Sequence, residues 1–445
     1  MSLRDESRTI RQLAAPVVAT QLLSMTLGVV DNVMLGHYST EALASSALGR
    51  VWVFGILVVA QGILVGMDPR ISQGHGARDP RQIGLAVQGG IVLALLLSIP
   101  LAVATLFTGD VLSAFGVDAE LARLAGEYAT PQIYGIPFYL LFQVQRSWLQ
   151  GRGLMRPALW IVLIANVVNA VANWALIFGH LGFDSHGVAG AGYATGFTQV
   201  FVCLALAGFM YAFHLHKEAW IAWSRDALHE VRQVLRIGVP LGVQFGLEVW
   251  AFQGATLMAE HLGTVPVAGH SIVLNLASIS FMVPLGISIG TSTRVGNLIG
   301  AGRWEQAELA GRAAMILGVQ VMTIFALAFV VLRETLPALY GAEPAVIAAA
   351  AAILPIAAAF QLFDGLQVVA GGVLRGMGRT KILAAVHLVA FYLLGLPLAY
   401  ELAFRRGLGL EGVWWGLCLG LGAVAFALTA WVLRYGPRSQ APAPH

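Results

Sequence analysis

Apolar residues run along this chain in long unbroken stretches. Twelve of them, each close to the ~20 residues a helix needs to cross a hydrocarbon core, fall at 14–36, 44–67, 84–107, 129–150, 157–179, 190–213, 238–260, 267–290, 312–332, 348–372, 381–403 and 412–434. They are too long for strands and lack a period of two, which argues against a β-barrel. Only helices then satisfy every backbone group inside lipid. The pattern predicts an all-α integral membrane protein with twelve transmembrane helices.

Composition agrees: 58% of the 445 residues are apolar and 11% are charged, against ~25% charged in a soluble domain. The net charge of +3 matters less than where the charges sit. If the N-terminus is cytoplasmic, that side receives 21 of the Lys and Arg residues and the other side four, Arg123, Arg333, Arg405 and Arg406. Arg50 stays inside the second stretch. This bias predicts both termini in the cytoplasm of a cell inner (plasma) membrane. It is a topology signal, so no nucleic-acid partner is expected. Cys203 and Cys418 lie in separate apolar stretches and read as packing residues. The first stretch passes through Asp31 with no small-residue cleavage site, so it is expected to remain as the first helix.

The chain also repeats itself. A shift of 224 residues lays Pro16 on Pro240, Gly62 on Gly286, Gly66 on Gly290, Arg70 on Arg294 and Gln82 on Gln306; with one residue of drift, LQGRG (149–153) falls on LRGMG (374–378). Each copy holds six spans, so both enter the membrane in the same direction. The expected organisation is an N-terminal six-helix lobe over 1–213, a cytoplasmic linker over 214–237 and a C-terminal six-helix lobe over 238–445.

Against that background a few residues are costly. Asp31, Glu248 and Asp364 fall well inside the first, seventh and tenth spans, where a charge costs about 2.5–3.5 kcal/mol on insertion scales. Gln244, Glu248 and Phe252 recur every fourth residue; Gln361, Asp364 and Gln367 recur every third; Ser24, Gly28 and Asp31 share one face. Asn166, Asn169 and Asn173 line one side of the fifth span, suiting ligand binding and inter-helix hydrogen bonding equally. Oxygen-only groups of this kind suit a hard monovalent cation or a proton, and no Cys/His set for a transition metal is present. His270 and His387 each read as isolated packing residues. Arg50 either counters an acid or snorkels to the interface. GISIG (286–290) matches the G-x-S-x-G nucleophile pattern, but it lies in a helix rather than at a strand-to-helix turn, and its repeat partner GILVG (62–66) lacks the serine. Close packing of G-x-x-x-G explains it better, and no enzyme activity is expected.

VVDNVMLG (29–36), PLGISIGTSTRVGNLIGAG (284–302), NWALIFG (173–179) and FQLFDGLQVVAGGVLRGMGRT (360–380) together resemble the multidrug and toxic compound extrusion (MATE) transporters, in their bacterial NorM-type branch. The resemblance implies a secondary antiporter that exports cationic, often aromatic compounds in exchange for sodium ions or protons. It implies no cofactor beyond the coupling ion, small-molecule and lipid partners, and a monomer. Asp31 resembles the first-lobe carboxylate, Glu248 and Asp364 the two acids of a second-lobe cation site, Phe252 an aromatic residue beside it, and Asn169 and Asn173 polar positions of the first lobe. Phe360 stands where some members carry tyrosine, which leaves sodium and proton open. The alternative is a flippase of the same superfamily for lipid-linked substrates, which predicts a basic rather than an acidic set of intramembrane residues.

Overall fold

The computed structural model describes residues 2–216 and 221–441; Lys217 to Trp220 of the expected linker lie outside the described residues. The spans form helices α1 Leu3–Tyr38, α2 Thr40–Ala77, α3 Pro80–Leu106, α4 Ile136–Gly151, α5 Arg156–Phe178, α6 Gly187–Ala212, α7 Asp226–His261, α8 Thr264–Gly300, α9 Trp304–Val331, α10 Pro344–Gly376, α11 Lys381–Arg405 and α12 Gly409–Tyr435. Eleven of these, among the described residues, are long and apolar enough to cross a membrane; α4 is the exception.

The difference at α4 has a local cause. The expected span at 129–150 is split into Ala119–Ala129, a 3-10 turn over Thr130–Gly135, and then α4 itself. Pro131 and Pro137 remove two backbone donors within seven residues, which breaks the regular hydrogen-bond ladder. Its repeat copy α10 carries Pro355, the partner of Pro131, with no second proline nearby, and stays helical throughout. On α11 the ladder widens instead. Leu388–Gly395 and Glu401–Arg405 are π-helical, beside Pro397 and a close approach of Gly395 to Gly420.

Contacts divide the chain into two compact units, one of Met1–Val18 with Val243–His445, the other of Ala19–Gly242. The first 18 residues, placed with the first lobe on sequence, thus pack with the second half. The first half of α7 packs in return with the first. Both exchanges fall just after repeat-related prolines inside helices, Pro16 and Pro240. Within the first-half unit, a Cβ on Gly66 would meet the Val234 carbonyl and Gly238, and one on Gly62 would meet Gly242. Within the other unit, Gly286 faces Val18 and Gly290 faces Leu13 and Ala14, the repeat equivalents of the same contacts. Each exchange is also pinned by a two-pronged ion pair. Arg70 grips Glu230 at 2.6 and 3.0 Å, and Arg294 grips Glu6 at 2.9 and 2.9 Å.

Candidate functional site

In the unit that holds most of the second half, α7, α10 and α11 bring two carboxylates under one amide. Asp364 is buried and Glu248 nearly so. Gln367, one turn beyond Asp364 on α10, donates through the same nitrogen to Glu248 Oε1 and to Asp364 Oδ1, each at 3.3 Å. Gln244 also bonds Glu248, and the buried Arg375 acts on Glu248 through its charge, whereas Asp364 has the neighbouring carboxylate as its nearest charge, a setting in which two negative charges repel. Among the described residues no group of three or more His, Cys, Asp and Glu is placed to hold a metal ion.

His387 joins this group, which corrects its reading as an isolated residue. Its Nε2 lies 3.9 Å from Glu248 Oε2 and 3.4 Å from Gln244 Nε2, while Nδ1 lies 2.8 Å from the Leu383 carbonyl. Sequence spacing missed it because α11 is far from α7 in the chain. The marker available was its position just before the π-helical stretch, a distortion frequent at functional sites. Gln361, expected beside the acids, is fully buried and has no hydrogen-bond partner on either amide atom among the described residues; it takes no part in the Gln367 bridge.

Phe252, one turn beyond Glu248, packs edge-on against Phe360 and Phe391 at centroid distances of 6.0 and 6.1 Å, and Phe360 packs in turn on Trp414 at 5.9 Å. An aromatic wall therefore flanks the carboxylates, and Phe391 and Trp414 are its members that sequence patterning did not single out. His270 hydrogen-bonds with Thr256 at 3.1 Å and lies against Trp414, a packing role in line with expectation.

The first-half unit carries a separate acidic site. Asp31 is buried, accepts from Asn173 Nδ2 at 2.6 Å and from Thr195 Oγ1 at 3.4 Å, and Asn173 also donates to Asn169 Oδ1 at 3.2 Å. The asparagine row thus divides: Asn169 and Asn173 converge on the acid, whereas Asn166 binds Thr26 and the Leu23 carbonyl of α1 and ties two helices together. Ser24 shares the face of Asp31 but turns back to the Thr20 carbonyl. Arg50 donates to the Gly28 carbonyl at 3.0 Å and acts on Asp31 through its charge, which fits its reading as the counter-charge of an acid. Tyr128, buried beside Arg50, Asp31 and Thr195, lay outside the expected site because it precedes the proline break.

The GISIG segment behaves as a packing element. Ser288 donates to the Val368 carbonyl, and Arg375 Nη2 donates to Ser288 Oγ at 2.5 Å. Arg375, one of the 21 basic residues that the topology reading assigns to the cytoplasmic side, is buried within the last turn of α10, because that helix runs on to Gly376. Cys203 and Cys418 are buried and unbridged.

The MatE family model matches twice, at residues 16–175 and 240–401. "Probable multidrug resistance protein NorM" of Burkholderia pseudomallei is 34% identical over 424 residues, covering 94% of this chain and 90% of that protein. "Multidrug and toxin extrusion protein 2" of Mus musculus is 30% identical over 434 residues, covering 97% and 75%. The crystal structure of the eukaryotic MATE transporter AtDTX14 superposes with a TM-score of 0.91 at 26% identity, over 99% of this chain and 98% of that one.

Proposed function

The chain belongs to the MatE family, and from that premise we propose that it is a secondary active antiporter that exports cationic or aromatic compounds in exchange for sodium ions or protons. It carries out no bond-making or bond-breaking step. The observation that carries the reading is the pair of carboxylates, Glu248 and Asp364, held under the one amide of Gln367. An ion drives a change of facing state only through the difference in its affinity for the two states. Two buried acids served by one arginine, Arg375, which acts on Glu248 through its charge, supply such a difference: an arrangement that brings them together requires the coupling ion, and one that hydrates or separates them releases it. The aromatic wall of Phe252, Phe360, Phe391 and Trp414 suits flat apolar compounds, and carboxylates beside it favour those with a positive charge.

We place the protein in the inner membrane with both termini cytoplasmic, acting as a monomer. The printed names of the NorM and extrusion relatives support export of drugs. The flippase alternative draws no support from these matches.

The test is efflux of a fluorescent cationic dye from proteoliposomes, with sodium and proton gradients imposed separately. The parent protein is expected to respond to at least one gradient, and Glu248→Gln and Asp364→Asn each to abolish the response while inserting and folding normally. Full gradient-driven efflux by both variants would remove the carboxylate pair from the mechanism.

A further inference from the structure

At the shift of 224 Glu248 falls on Ser24, and with the one residue of drift Asp364 falls on Tyr139. The acids are gone from these positions, and around Tyr139 a different polar group collects. Tyr139, Gln143 and Arg146 recur at i, i+4 and i+7 of α4 and so share one face. The Tyr139 hydroxyl donates to Gln61 Oε1 of α2 at 3.3 Å and accepts from Gln143 Nε2 at 3.1 Å, while Arg146 Nη1 reaches Gln21 Oε1 of α1 at 3.5 Å. All five residues belong to the Ala19–Gly242 unit. Gln143 is buried; the other four are half-buried, so the group opens at its margin.

Hydrogen bonding between helices leaves two features unexplained. Among the described residues no carboxylate lies within ion-pair distance of Arg146, and its buried Nε has no hydrogen-bond partner. The acid that faces it, Asp68, acts on it only through its field. The buried Gln143 Oε1 is likewise unpartnered. A largely buried guanidinium with no direct ion pair is costly and normally marks a ligand or a missing charge partner. Its planar fork fits a carboxylate, and the neighbouring amides can turn to offer nitrogen rather than oxygen.

We propose that Arg146, Tyr139 and Gln143 form a seat for a carboxylate-sized anion at the first-half counterpart of the acidic site. One source is the carboxylate of a zwitterionic exported compound, and this source rests on the transport reading above. The other is a small inorganic anion such as chloride, which does not. One half of the repeat then receives positive charge and the other negative.

The test uses the purified full-length protein in detergent and two dyes, a rhodamine with a free benzoate and its methyl ester, followed by fluorescence anisotropy. Arg146→Gln is expected to weaken binding of the benzoate form about tenfold, the scale of one hydrogen bond to a charged group, and to leave the ester unchanged. Arg146→Lys should recover part of the loss. In the second arm, chloride replaces gluconate and thermal unfolding is recorded. Stabilisation of the parent by chloride that disappears in Arg146→Gln assigns the seat to an inorganic anion. Equal weakening of both dyes, or no change in either dye together with equal chloride responses, overturns the proposal. If Arg146→Gln does not fold, Tyr139→Phe replaces it with the same expectations. If neither dye binds the parent, the transport reading fails while the chloride arm still decides the seat.

Discussion

Gln367 offers one amide nitrogen to two carboxylates, and this makes it a sensitive position even though it carries no charge. Replacing it with leucine leaves Glu248 and Asp364 adjacent with no shared donor, which strengthens their mutual repulsion and their demand for a cation. Gln367→Leu is therefore expected to shift the coupling-ion concentration for half-maximal efflux by about tenfold, the effect of one hydrogen bond to a charged group, with folded protein unchanged. A titration of efflux against sodium and proton concentration reads this directly, and an unmoved midpoint would show that the amide is only a spacer. Asp31 sits in a different setting, with two asparagines and a threonine around it and no second acid. We expect Asp31→Asn to alter the pH profile of efflux without abolishing the response to Glu248 and Asp364. If the variant keeps the parent's profile and its drug affinity, Asp31 is a tolerated polar residue. The residues of both sites were visible in the sequence as acids, amides and aromatics at helical spacing. His387, Phe391, Trp414, Thr195 and Tyr128 were not singled out, because nothing in the spacing along one helix reports which side chain on another helix faces it.

At the scale of elements, the glycines and the ion pairs do complementary work. α2 and α7 approach so closely that a Cβ on Gly238 would run into the Ile63 carbonyl, a contact only glycine permits. Gly238→Val is expected to block assembly of the first-half unit, visible as loss of a monodisperse peak on size exclusion, whereas Gly208→Val, with open space around it, should be silent. The ion pairs allow a graded test. Glu230 is buried and Arg70 is one-third exposed, so Arg70→Ala strands a carboxylate in a dry setting. The expected loss is about 2–3 kcal/mol, below the full range for a buried pair because the arginine keeps some contact with water. Thermal unfolding in detergent measures it, and a double substitution of Arg70 and Glu230 by methionine should recover most of the loss. Helix existence was legible in hydropathy because lipid forces internal hydrogen bonding. The broken fourth span and the π-helical eleventh were not, since average hydropathy carries no information on where a proline or a close glycine contact diverts the hydrogen-bond ladder.

For the molecule as a whole, the expectation that remains to be measured is direction. A cysteine at Ser39 or at Asp118 should be labelled from outside the cell, with little background because Cys203 and Cys418 are buried; labelling from the cytoplasmic side alone would reverse the orientation. The sequence by itself determined the solvent, the helical class and the duplication. Each of these follows from a one-dimensional property: the length of apolar runs set against bilayer thickness, and self-similarity at a fixed shift. It also showed that the two halves differ in charge, since Asp31 falls on Ala255 and Glu248 on Ser24. Only the tertiary structure decided that Met1–Val18 packs with the second half and the start of α7 with the first. Two-pronged ion pairs and glycine contacts between residues far apart in the chain hold these exchanges. Only the structure, too, set Glu248 and Asp364 under one amide and left Arg146 without a direct ion pair among the described residues. Burial and charge pairing depend on which helix faces which, and that choice is made by packing among helices whose lipid-facing sides are all equally apolar.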